Sequence, residues 1–233
     1  MGSLSDHLYH RVEQEVRSWT QTEARDIYVI ALHIGFVDDD MRQGTVSGPC
    51  YNPWRHWQAQ GGAEEQKWQA SRYQHYAKST SCEPAIEEWG NEDTADPVGV
   101  DLRNKHLNDM SLLMTDAEDD RLWKQLHHKN VQSERLGSSL FTPEDAAEYD
   151  TLREKLTNNG KAFVDVCAST VRRLHDEGLI REVCGRSVPV VLDVSNDMDA
   201  LKARAWRLTR EVNPNGVAED WVKAHLGRHG LDG

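Results

Sequence analysis

The chain has 233 residues, 38% hydrophobic and 28% charged, with a formal net charge of −12. That length can bury a core without disulfides or metals, and the surplus of acid argues against phosphate backbones and anionic membrane surfaces as partners. Phosphate loops of the G-x-x-x-x-G-K-[ST] or G-x-G-x-x-G type, a G-x-S-x-G elbow and a C-x-x-C pair are all absent, which removes the usual signatures of nucleotide binding, serine hydrolysis and compact redox or zinc centres.

Leu4, Leu8, Val12, Val16 and Trp19 fall on one face of a helix, with Ser3 or Ser5 placed to cap it. Residues 26–36 (DIYVIALHIGF) are β-branched and aromatic with few charges, and predict a buried strand. Asp38 to Gly44 supply turn chemistry, and Thr45 to Tyr51 return as a second strand, making a hairpin. Residues 52–62 read as irregular, 63–77 as a helix and 79–101 as loop, with a short helix around Pro84 to Trp89. Two helical pieces follow, Leu107 to Met114 and Asp116 to Leu126; the acidic DAEDD run suits a helix N-terminus. Thr142-Pro143 starts the next helix, and Asn158-Asn159-Gly160 is expected to stop it. A helix over 161–177 carries Phe163, Val166, Cys167, Val171 and Leu174 on one face, ending at Gly178. Ser187 to Val194 predict a strand, with Pro189 placing it at an edge or at a strand start. Helices over Met198 to Val212 and Val217 to Leu226 close the chain, separated by Asn213-Pro214-Asn215-Gly216. Strands and helices do not alternate, so the reading is α+β, with a small, mostly antiparallel sheet covered by several helices. One domain over 1–233 is expected, with the loop at 79–101 as the candidate internal boundary.

The chemistry-bearing residues give no compact centre. Cys50, His56, His75 and Cys82 are the right types for zinc, but lack pairs two to four residues apart. His127 and His128 are adjacent, so on a helix their rings diverge by about 100°. Asp38, Asp39 and Asp40 lack the spaced oxygens and late bidentate Glu of a calcium loop. No metal or cofactor is therefore expected. Cys50 with His33 or His56 as base has the elements of a nucleophile, without a local signature. Glu87 and Glu88 beside Trp89 are either a solvated helix face or an acidic–aromatic contact site for a partner, within an aromatic-rich segment running from Tyr51 to Trp89. The polar N-terminus has no apolar h-region, no apolar stretch reaches the roughly 20 residues of a membrane span, and Asp6 stands where a myristoylation signal wants Ser or Thr. A cytoplasmic protein with reduced thiols is the expectation.

Three stretches resemble a bacterial domain family of unknown function found near polymorphic-toxin genes, whose members have been suggested to act as immunity proteins. They are DIYVIALHIGFVDDD (26–40), FVDVCASTVRRLHDEGLI…VPVVLDV (163–194) and REVNP (210–214) with the helix after it; SRYQHYA (71–77) looks like that family's helix with Arg and spaced aromatics. The resemblance covers less than half the chain and carries no catalytic residues. Together with the net charge of −12 and the absence of a catalytic signature, it points to a non-catalytic binding protein that neutralises or accompanies a basic protein partner. Asp38, Asp39, Asp40, Glu87, Glu88, Trp89, Asp116, Glu118, Asp119 and Asp120 are the candidate contact residues. The alternatives are an enzyme with a His/Cys/Asp site built from His33, Cys50, His56 and Asp193, or a subunit of a larger assembly.

Overall fold

In the computed structural model of the chain, residues 2–36, 44–62, 67, 96–134, 143–194 and 199–229 are described. Helix α1 (Leu4–Ser18) starts at a capping box. Ser3 Oγ accepts from the Asp6 N–H at 3.1 Å, and the Asp6 carboxylate accepts from the Ser3 N–H at 3.1 Å. Leu4, Leu8, Val12 and Val16 are buried, as their spacing predicts. Helix α2 (Gln21–Asp26) repeats the same box with Thr20 and Glu23, a T-x-x-E spacing that marks a helix start.

Strand β1 (Ile27–Phe36) pairs antiparallel with β2 (Gly44–Pro53) and parallel with β3 (Val190–Val194), giving the order β2-β1-β3. The α+β class holds, with a mixed sheet in place of a mostly antiparallel one. A parallel pair needs a crossover connection, and the long run of chain from β2 to β3 supplies one. Both faces of β1 are covered, which is why it reads as a continuous apolar run. Ile30, Leu32 and Ile34, with Val190, Leu192 and Val194, enter the main core. Val29, Ala31 and Val191 enter a second cluster with Tyr28, Cys50, Trp206, Trp221 and Val222.

Short α3 (Trp54–Ala59) replaces part of the expected irregular stretch. Helix α4 (Pro97–Asp109) begins inside the expected loop at 79–101; Asp96 caps it, accepting from the Gly99 N–H at 3.0 Å. The rest of that loop, and the helix expected over 63–77 apart from Lys67, lie outside the described residues. Helix α5 (Asp116–Glu134) follows, so Met110 to Thr115 form a connection rather than a helical piece.

Helix α6 runs from Pro143 to Asp176 without a break. Asn158-Asn159-Gly160 does not stop it because the seam passes through. Tyr149, Leu152, Leu156, Asn159, Phe163, Val166 and Thr170 recur every three or four residues and are all buried. Gly178 ends this region at φ 76°, a backbone conformation glycine adopts without strain, and short α7 (Leu179–Cys184) follows. The main core takes residues from both sides of the 79–101 stretch, from Leu4 and Val46 to Leu102, Phe163 and Val212.

Helices α8 (Asp199–Val212) and α9 (Glu219–His229) complete the fold. Among the described strands β3 lies at an edge of the sheet, and α8 shields its open side with two side chains. Thr209 Oγ1 accepts from the Leu192 N–H at 3.0 Å. Asn213 Oδ1 accepts from the Val190 N–H at 2.8 Å, while its Nδ2 donates to the carbonyls of Val190 at 2.9 Å and Thr209 at 2.7 Å. The amide thus pairs with Val190 as a neighbouring strand would, which closes an otherwise exposed template for strand addition. His175 Nε2–H donates to the same Asn213 Oδ1 at 2.9 Å.

Burial lowers the pKa of His175 below its ordinary value, with the bond to Asn213 opposing the shift more weakly. A folded pKa below the unfolded one means the native state binds fewer protons near neutrality. Stability is then full above the unfolded value near 6.5 and falls as pH drops through it toward the folded pKa. Urea unfolding across that window should show the decline, and His175→Gln should flatten it. An unchanged slope in that variant would assign the decline to other groups.

Among the described residues, no helix is long and apolar enough to cross a membrane.

Candidate functional site

The acidic start of α5 is the one predicted contact region that the described residues include. Thr115 and Glu118 form its entry: the Glu118 carboxylate accepts from the Thr115 N–H at 2.8 Å, and Thr115 Oγ1 accepts from the Glu118 N–H at 3.2 Å. Lys155 of α6 donates to both Glu118 oxygens at 2.9 Å. The Thr115 backbone bond first, then Lys155, hold the Glu118 pKa below the usual carboxylate range. Asp119 is 9% exposed and belongs to the interior. Glu118 is therefore committed to seating α5 on α6, and Asp119 is withdrawn from solvent.

Asp116 and Asp120 are exposed. At about 100° per residue, Asp116, Asp120 and Trp123 fall within about 60° of one another around the helix. Trp123 is 45% exposed, a large apolar surface to leave in water. On the neighbouring helix, Glu144, Asp150 and Glu154 are also exposed. Arg121 turns to Glu148, with Nη1 at 3.2 Å from Oε1; exposed Lys124 stands one turn past Asp120. The outward side of α5 thus carries two carboxylates and one large indole, with Lys124 beside them. Asp38, Asp39, Asp40, Glu87, Glu88 and Trp89 lie outside the described residues, as do His75 and Cys82. Trp123 was not among the sequence candidates. Its signal was its place three residues after Asp120, on the polar side of the helix.

The His/Cys/Asp group is divided. His33 and Asp193 are register partners on the parallel strands, and His33 Nδ1 lies 3.1 Å from Asp193 Oδ2. Their side chains are 19% and 25% exposed. They continue the odd-numbered face that Ala31 and Val191 share, near the carboxyl ends of β1 and β3, where open sheets commonly offer a crevice. Cys50 pairs with Ala31 in register on this face but is 1% exposed. His56 is not brought to them. β2 ends at Pro53 opposite Ile27, so His56 on α3 lies at the far end of β1, about 20 Å along the strand from His33. Its Nε2 lies 2.7 Å from Gln60 Nε2.

The other described thiols are packing groups. Cys167 and Cys184 are buried, and burial raises both pKa values, that of Cys184 to about 11. Among the described residues, no group of three or more His, Cys, Asp or Glu side chains is placed to hold a metal ion. No family model, curated protein or solved structure matches the chain.

Proposed function

We propose that the chain is a non-catalytic protein-binding module that meets a basic partner through the acidic outer face of α5, with Trp123 as the apolar anchor. The exposure of Trp123 beside Asp116 and Asp120 carries this reading. Tryptophan buries a large area and is enriched among the few residues that dominate interface energies. Carboxylates around it steer a cationic surface toward contact, helped by the net charge of −12. An immunity-type role, in which such binding neutralises a basic toxin inside the cell, fits this chemistry and the resemblance of three of its stretches.

The test uses the full chain as bait with extracts of its source cells. The expected ligand is a basic protein that raised salt releases. Trp123→Ala should weaken its binding about tenfold or more, and Asp116→Asn with Asp120→Asn should slow association and flatten the salt dependence. Capture that survives Trp123→Ala and ignores salt would remove α5 as the contact face.

A further inference from the structure

Three aromatic side chains converge where β1, the end of β2 and α3 meet. The Trp54 and Trp57 rings lie 5.4 Å apart at 69°, one helical turn from each other. Tyr28 backs them, its ring 4.5 Å from Trp54 and 6.4 Å from Trp57. Near-perpendicular indoles make a corner lined by two π-faces. Lys67 projects into it, with Nζ 4.9 Å from the Trp54 centroid and 5.5 Å from that of Trp57. The backbone of Lys67 is tied to the same group, since its carbonyl accepts from the Tyr28 hydroxyl at 2.6 Å. That hydroxyl in turn accepts from Asn52 Nδ2 at 2.7 Å. Tyr28 and Asn52 are buried, so the floor is held in place, while Trp54, Trp57 and Lys67 are half-buried. Arg55, between the two indoles in sequence, is turned away to Asp26, with Nε at 2.9 Å from Oδ2.

We propose that Tyr28, Trp54 and Trp57 form a cage for an alkylated ammonium group, and that Lys67 occupies it as the chain's own competitor. Ring quadrupoles attract a cation over their faces, and aromatic corners of this kind suit quaternary ammonium. A primary ammonium is compact and strongly hydrated. A trimethylammonium group gives up less hydration and offers methyl surface to both indoles, so it displaces Lys67 at modest concentration. The cage lies on α3 and the sheet, apart from the acidic face of α5, and its test does not depend on that reading.

Full-length protein labelled at the tryptophan indoles is titrated with tetramethylammonium chloride, with sodium chloride at equal ionic strength as control. In the wild type, the Trp54 and Trp57 N–H resonances, assigned through Trp54→Phe and Trp57→Phe, should move with tetramethylammonium and not with sodium. Lys67→Met removes the competitor and keeps the backbone tie. It should bind about tenfold more tightly, as for a cage nine-tenths self-occupied. Adding Trp57→Ala to Lys67→Met should abolish the response while the melting transition stays cooperative; if that protein does not fold, Trp57→Phe should still weaken binding. Choline and free Nε-trimethyllysine, run in parallel, tell a small quaternary amine from a methylated lysine side chain. Equal affinities with and without Lys67, or shifts that ignore both tryptophan substitutions, would overturn the proposal.

Discussion

Asn213→Ala is expected to cost about 3–5 kcal/mol of folding stability, because it leaves several buried groups without partners at once. The amide serves the N–H and the carbonyl of Val190, the carbonyl of Thr209 and the imidazole of His175. Asn213 is 5% exposed, so water does not readily replace it. The amide orientation follows from the partners: two donors face the oxygen and two carbonyls face the nitrogen. Asn213→Asp keeps the acceptor and sets a carboxylate oxygen against those two carbonyls, so it too should destabilise strongly. Urea unfolding gives the magnitude, and hydrogen exchange at Val190 and Leu192 gives the location. A loss under about 1 kcal/mol, less than one unsatisfied buried group costs, would show that the edge of β3 does not depend on this side chain.

The second large effect has the opposite sign. Asn159 is 1% exposed, and neither its Oδ1 nor its Nδ2 has a hydrogen-bond partner among the described residues. It occupies a seam position on α6 between Leu156 and Phe163. Asn159→Leu replaces a desolvated amide by an apolar group of similar length and adds helix propensity. Stability should rise by about 1–3 kcal/mol, the usual penalty of an unsatisfied buried polar group. Asn159→Ala should gain less, because it leaves unfilled volume. A fall in stability with leucine would mean that the amide is held by interactions the seam does not reveal.

These two asparagines show where local reading succeeds and where it misleads. Asn213 opens an Asn-Pro-Asn-Gly run and does mark the end of α8, as turn chemistry predicts. Its larger role needs β3 and His175, which lie 23 and 38 positions away in the chain. Asn158-Asn159-Gly160 carries the same kind of breaker signal and breaks nothing. Apolar burial on both sides holds α6 straight through it, since packing against a core outweighs propensities of about 1 kcal/mol or less per residue.

The candidate site divides in the same way. Acid at the start of α5 was readable from DAEDD, because a helix N-terminus attracts carboxylates. The run did not say which of its members face water. Glu118 is taken by Lys155 and Asp119 by the interior, and helical phase against α6 made that choice. His33 and Asp193 were separate candidates whose contact depends on parallel strand register.

Amphipathic spacing, β-branched runs, caps and glycine positions were local information, and they determined α1, β1, β3, α8 and the α+β class from the sequence by itself. Pairing sense, the unbroken course of α6, the shielding of β3 by Asn213 and the choice of Asp116, Asp120 and Trp123 as the outward face were decided only by tertiary structure. The physical reason is common to all four. Each depends on which distant surface removes a segment from water, and the free energy of that burial exceeds the preference any short stretch of chain expresses alone.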